Sequence, residues 1–183
     1  MKRIITIFGF ILFVYVQCNA RVSNHHSNVS LKGTIQIDTF EVINNVCIWY
    51  SKINACQDKY NKIVKPLMGR SSEGGELTGY YEKDSLRKIE AIYLGEMGKS
   101  ITEYYFRNNK LFFIFNTDSL YDKPFYITGH KVNSIEESKY YFLNDTLIRW
   151  LDKDKCIVLK GLPERSFKII QEVNDHLIEL EKP

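Results

Sequence analysis

A thiol and an imidazole can act together as a nucleophile and its general base, and Cys156 and His130 are the residues that raise this chemistry. Cys156 begins the apolar run Cys156–Leu159, which instead predicts a small hydrophobic side chain buried in a strand. The sequence has neither a Gly-x-Ser-x-Gly motif nor a glycine-rich phosphate loop. We therefore predict no catalytic residues. A hydrolase acting outside the cell is the enzymatic alternative, and it would need a cleft where Asp, Glu or His side chains converge.

Metal ligands are equally sparse. His25 and His26 are adjacent in a polar segment, but no His-x-x-x-His or Cys-x-x-Cys spacing is present to form a zinc site. The acidic loops Asp118–Asp122 and Asp152–Asp154 carry oxygen ligands of the kind that calcium prefers. Neither loop matches the EF-hand pattern, and lysines lie beside the carboxylates. The sequence thus predicts no metal site and no cofactor.

Tyrosine pairs form the most distinctive internal pattern. Each of three pairs is followed by a short polar turn and a leucine, which indicates a β-hairpin; the pairs are Tyr80-Tyr81, Tyr104-Tyr105 and Tyr140-Tyr141. Neighbouring residues of a strand point to opposite faces, so each pair places one ring on each face of the sheet. Unless both faces are covered, one ring of each pair is exposed, and these six tyrosines are the candidate binding platform. The alternative is that the rings fill the core and the cross-strand ladders.

A second repeated pattern is Asp followed by a hydroxyl residue and leucine. It occurs at Asp84-Ser85-Leu86, Asp118-Ser119-Leu120 and Asp145-Thr146-Leu147. Asp, Ser and Thr are also the residues that tight turns prefer, and the leucine would then begin the next strand. The triplets could therefore be turns, and they could also be modification sites.

An antiparallel sheet is needed to position these residues. Short connections between aromatic and aliphatic runs force neighbouring strands to be antiparallel, and we predict strands over 77–83, 86–94, 100–107, 110–116, 125–132, 138–143, 146–151 and 155–160. Apolar spacing predicts a long helix over 38–65, with Asp38 as its N-cap, and a second helix over 163–181 beside it. The predicted fold is α+β: a long antiparallel β-meander with a long N-terminal helix and a C-terminal helix packed on the sheet.

The N-terminus has the layout of an export signal. Lys2 and Arg3 precede an apolar run from Ile4 to Val16, and Ala20 and Cys18 are the small residues expected before a cleavage site. The run is shorter than the roughly 20 apolar residues of a membrane span. We predict a signal peptide over 1–20, a flexible leader over 21–31 and a single domain over 32–183, in the periplasm or outside the cell. Lipidation of Cys18 and an uncleaved anchor are the alternatives.

Composition and net charge limit the classes of partner that the protein can bind. The net charge of +3 falls to +1 when Lys2 and Arg3 are removed, which is no electrostatic basis for binding nucleic acid. Aromatic residues are 14 % of the chain, which favours a β-rich fold with a packed core. Three cysteines follow the signal, Cys47, Cys56 and Cys156, and this odd number is not that of a disulfide-rich scaffold. Cys47 and Cys56 could not bridge each other within one unbroken helix.

Taken together, the signal, the Tyr-Tyr-Phe-x-Asn hairpins and the Asp-Ser/Thr-Leu triplets resemble small exported proteins of unknown function from Bacteroides-group bacteria. In such proteins the triplet is similar to an O-glycosylation acceptor, which would be Ser85, Ser119 and Thr146 here. The resemblance transfers no catalytic or binding residue. We expect a non-catalytic domain that binds a protein, peptide or glycan of the cell envelope through a sheet face or the hairpin tips. A carrier of a lipid or small apolar ligand, with a cavity between helix and sheet, is the second hypothesis.

Overall fold

A computed structural model of the chain describes residues 39–67 and 69–182. The predicted signal peptide and the predicted leader lie outside the described residues. In chain order the elements are α1 (Thr39–Ala55), a 3₁₀ turn (Gln57–Lys59), β1 (Asn61–Pro66), β2 (Gly75–Glu82), β3 (Ser85–Gly95), β4 (Gly98–Arg107), β5 (Lys110–Tyr121), β6 (Val132–Leu143), β7 (Thr146–Leu151), β8 (Ile157–Val158) and α2 (Leu162–Glu181).

The eight strands form one antiparallel sheet in which each strand pairs with its neighbours in the chain. Connections therefore alternate between the two ends of the sheet. At the short-turn end, two-residue turns close the hairpins at Lys83-Asp84, Asn108-Asn109 and Asn144-Asp145. Both central residues of the last two turns have positive φ, between 49° and 62°, which is the backbone that asparagine and aspartate tolerate in hairpin turns. The opposite end, with the connections β1–β2, β3–β4, β5–β6 and β7–β8, is called the long-loop end.

The two helices cover opposite faces of the sheet. Tyr104 belongs to a core with Ile169 and Val173 of α2, whereas Tyr105 belongs to a core with Val46 and Ile53 of α1. Because these adjacent tyrosines point to opposite faces of β4, the helices do so too. The sheet is thus the middle layer of three where the helices cross it, and each face has its own hydrophobic core.

The predicted α+β meander with two packed helices is confirmed, but several of its details are wrong. The first helix ends at Ala55 instead of residue 65, and residues 61–66 form edge strand β1. Residues 125–131, predicted as strand, form the loop before β6. The helices were expected side by side, and they lie on opposite faces.

Candidate functional site

The tyrosine pairs lie in the two cores and form no exposed platform. Five of the six rings are at most 6 % exposed, namely those of Tyr80, Tyr104, Tyr105, Tyr140 and Tyr141, and the sixth, Tyr81, is half-buried against the α2 core. The physical reason is that both faces are covered near the short-turn end, where the pairs lie. Because side chains alternate between the two faces along a strand, one ring of a pair packs in each core, as do Tyr104 and Tyr105.

Exposed apolar side chains gather instead at the long-loop end. Seven large hydrophobic residues, each more than two-fifths exposed, surround the β3–β4 turn and the β5–β6 loop: Leu94, Met97, Leu120, Phe125, Tyr126, Ile127 and Val132. We call these seven residues the tip patch. Single exposed apolar residues are ordinary, but several of them gathered at one end of a sheet are typical of interaction sites. Tyr126 is 63 % exposed and is a residue type that is enriched at the energetic centre of interfaces.

Hydrogen bonds hold the tip patch in a defined conformation. The backbone N–H of Phe125 donates to the carbonyl of Glu96 over 2.9 Å, and the N–H of Tyr121 donates to the carbonyl of Met97 over 2.8 Å. The hydroxyl of Tyr126 donates to the Glu96 carboxylate at 2.6 Å. At the base of the loop, Asp122 accepts the backbone N–H of Lys131 at 2.8 Å. A partner would therefore meet a preorganised surface, which lowers the entropy lost on binding.

A lipid carrier would require a cavity between a helix and the sheet. Three cavities lined by described residues measure about 280, 300 and 280 Å³, at the bottom of the range of roughly 300–1,000 Å³ that is usual for ligand sites. One lies beside α2, one at the long-loop end and one under α1, and each has room for a small molecule only.

A buried lysine is the centre of a polar cluster on the α1 face. Lys88 is 1 % exposed; its ammonium donates to Gln57 Oε1 at 2.9 Å and pairs with the carboxylates of Glu103 and, at 3.3 Å, Glu90. The same ammonium lies 5.1 Å from the ring centroid of Tyr80, whose hydroxyl donates to Glu90. All three protons of the ammonium have partners, so the cluster ties the 3₁₀ turn to the sheet.

A second polar cluster lies where α2 covers the sheet, and sequence reasoning missed it. His176 is 1 % exposed, and its Nε2 lies 2.9 Å from the hydroxyl of Tyr93, which donates to Glu172 at 3.2 Å. Because that hydroxyl gives its one proton to Glu172, we assign His176 as the donor from Nε2, and its Nδ1 then has no hydrogen-bond partner among the described residues. The available signal was spacing, since His176 shares the stripe of Val173 and Leu180 on α2.

Burial sets the protonation of this cluster. It lowers the pKa of His176, against an opposing effect of the Glu172 carboxylate. Burial, reinforced by Glu172, raises the pKa of both Tyr93 and Tyr104. Near neutral pH the imidazole is therefore neutral and the phenols are protonated. Next to this cluster, Arg70 pairs with Asp175 at 2.8 Å on the rim of the cavity beside α2.

The residues of the Asp-Ser/Thr-Leu triplets have three different environments. Thr146 is exposed at the first position of β7, and Ser85 is half-buried at the first position of β3. Ser119 is 6 % exposed in β5 and is not at a turn. The triplets that contain Ser85 and Thr146 therefore lie at hairpin turns, and the triplet that contains Ser119 does not. The folded domain offers Thr146 most openly to a modifying enzyme.

Cys156 and His130, the candidate nucleophile and its base, lie in different loops. His130 packs against the Tyr121 ring at the long-loop end, with a centroid distance of 5.2 Å. Cys156 was predicted to be buried, but it is exposed, because β8 is a two-residue strand at the sheet edge and Ile157 beside it is 52 % exposed. Asp152 accepts the backbone N–H groups of Asp154 and Cys156, so this acidic loop uses its oxygen to form a turn.

Within residues 39–67 and 69–182, no group of three or more His, Cys, Asp or Glu side chains is placed to hold a metal ion. No helix of that same part is both long and apolar enough to cross a membrane. Comparisons with protein-family models, curated proteins and solved structures found no match to the chain.

Proposed function

We propose that this protein is an exported, non-catalytic binding domain that engages a protein of the cell envelope through its tip patch. The observation that carries the proposal is the concentration of seven exposed apolar side chains at one end of the sheet, where the β3–β4 turn and the β5–β6 loop meet. Exposed apolar area is costly in water, and protein interfaces are where it is usually covered.

The composition of the tip patch favours a protein as the partner. Phe125 and Tyr126 form an edge-to-face pair with a centroid distance of 5.6 Å, and the exposed aliphatic residues Ile127 and Val132 follow them in the chain. An aromatic anchor with an apolar surround is the usual centre of a protein–protein interface. Charged residues of the same turn and loop would form the polar rim, namely Glu96, Lys99, Asp122, Lys123 and Lys131.

Export is supported by the sequence pattern before residue 21, with its basic start, apolar run and small residues before Arg21. Intact-mass measurement of protein recovered from outside the cytoplasm tests this part. A chain beginning at Arg21 is the expected result. A mass that includes residues 1–20, or a lipid on Cys18, would contradict simple cleavage.

The interaction is tested by site-specific photo-crosslinking in the native host. A photoreactive phenylalanine replaces Tyr126, and a matched control carries it at Leu159, which is 78 % exposed but lies outside the tip patch. We expect a discrete crosslinked protein from position 126 that is absent from position 159 and is lost when Phe125→Asp is added. Identical products at both positions, or no product at position 126, would refute the proposal. Circular dichroism verifies that each variant is folded.

A further inference from the structure

A second surface, at the opposite end of the sheet, has the chemistry of a small-molecule site. The cavity of about 280 Å³ under α1, which we call the α1 cleft, lies between that helix and the turns β4–β5 and β6–β7. Apolar side chains such as Trp49 and Phe112 line it, together with the cations Arg107 and Lys110 and three asparagine amides. No acidic residue is among them.

The two cations stand opposite each other, and no carboxylate of the described residues pairs with either. Arg107 and Lys110 are cross-strand partners that close the Asn108-Asn109 turn, and like charges at such positions repel. Within residues 39–67 and 69–182, neither side chain has a carboxylate at salt-bridge distance. The β2–β3 hairpin provides the contrast, because Arg87 next to its turn pairs with Glu82 at 2.7 Å.

Arg107 is held at the border between the polar and the apolar parts of the cleft. Its guanidinium carbon lies 3.8 Å from the centroid of the Trp49 ring, and that ring meets Phe112 edge-to-face with a centroid distance of 5.4 Å. Stacking on Trp49 occupies one face of the guanidinium and leaves the in-plane N–H donors, which are the groups that bind a carboxylate. An anion between Arg107 and Lys110 would remove their repulsion and would place its apolar part against Trp49.

We propose that the α1 cleft binds a small amphiphilic carboxylate, with the carboxylate between Arg107 and Lys110 and the apolar body against Trp49 and Phe112. The volume restricts the body to about eight carbons or a single ring, since the cleft lies at the lower limit of ligand-site volumes. This site is independent of the tip patch, because the two lie at opposite ends of the strands.

Isothermal titration calorimetry of the purified protein with sodium octanoate tests the proposal. 1-Octanol and octylammonium chloride, which have the same chain with a neutral and a positive head, are the ligand controls. We expect saturable binding of octanoate, accompanied by a change in Trp49 fluorescence, and much weaker binding of both controls. The Arg107→Gln/Lys110→Gln double variant should lose about tenfold in octanoate affinity, since two charge-assisted contacts are removed.

Two further variants make the result decisive. Lys160→Gln removes one exposed positive charge elsewhere and should leave octanoate binding unchanged. Arg107→Lys keeps the charge but loses the stacked planar donors, so its octanoate affinity should fall between those of the unmodified protein and the double variant. These substitutions are on the surface, and circular dichroism verifies the fold of each variant. Absence of saturable octanoate binding would overturn the proposal. Equal binding of octanol, or an affinity that the double variant leaves unchanged, would show non-specific apolar association and would overturn it as well.

Discussion

Replacing Lys88 with methionine should destabilise the protein more than almost any other change of a charged residue. The ammonium is the only positive charge within salt-bridge distance of Glu90 and Glu103 among the described residues, and these two glutamates are cross-strand partners. Without the ammonium, two carboxylates face each other with no counter-charge, and Gln57 loses the donor that fastens the 3₁₀ turn to the sheet.

The magnitude follows from the burial of the three groups. Removing one partner of a buried ion pair costs roughly 3–5 kcal/mol. The side chains of Glu90 and Glu103 are 22 % and 18 % exposed, so water relieves part of the penalty, and we expect a loss of about 3 kcal/mol, at the lower limit of that range. Methionine has nearly the length of lysine and keeps contact with the Tyr80 ring, so the loss reports the charge and not a cavity.

Urea denaturation followed by circular dichroism measures this loss. Lys62→Met is the matched control, because Lys62 also lies over the Tyr80 ring, at 5.2 Å from its centroid, but on exposed strand β1; it should cost less than about 1 kcal/mol. Adding Glu103→Gln to the Lys88→Met variant should restore part of the stability, since one of the two unpaired charges is then gone. Equal losses for Lys88→Met and Lys62→Met, or a loss below about 1 kcal/mol for the former, would refute this account of the cluster.

Three further predictions concern single residues. Burial lowers the folded-state pKa of His176, so the unfolded chain takes up the proton first; the free energy of unfolding should fall as the pH drops below about 6.5, and His176→Gln should flatten that slope in urea titrations between about pH 5 and 7.5. A slope that His176→Gln leaves unchanged would contradict the assignment. Asn109 has a φ of 59°, so Asn109→Ala should cost about 1 kcal/mol in thermal denaturation while Asn109→Gly is nearly neutral; equal losses would show that the turn carries no such constraint. Peptide mapping of protein secreted by the native host should find any O-glycan at exposed Thr146 and none at Ser119, which is 6 % exposed, and a glycan on Ser119 would mean that modification precedes folding.

The hairpins were predictable because their signals are local. Asparagine at the β4–β5 and β6–β7 turns, with aromatic residues before and leucine after, specifies the turn and both strands within about a dozen residues. Strand β1 gave no such signal. Tyr60 and Val64 continue the helical spacing of α1, and the state of 61–66 is decided by pairing with β2, from Asn61 opposite Tyr81 to Pro66 opposite Glu76, which local periodicity does not report.

The same limit explains what was missed at the candidate sites. Phe125, Tyr126 and Ile127 have the composition of a strand, and only their backbone bonds, such as that from Phe125 to Glu96, place them in a loop. Apolar stripes predicted that both helices pack on the sheet, but a stripe does not state which face it meets. The tyrosines could therefore be assigned to the core only once α1 and α2 were seen on opposite faces.

Helix α2 has a consequence for the order in which the protein forms. It contacts β7 and also β1 and β2, so the last helical element of the chain joins the two ends of an otherwise sequential sheet. Each hairpin can close as soon as its second strand emerges, because its partner is its immediate predecessor. The apolar side chains under α2, such as Leu77 and Ile89, nevertheless stay uncovered until residues 162–181 arrive. Loss of the last turn, which contains Leu180 at 3 % exposure, would expose part of this apolar face in a chain whose strands are already paired, and would favour aggregation.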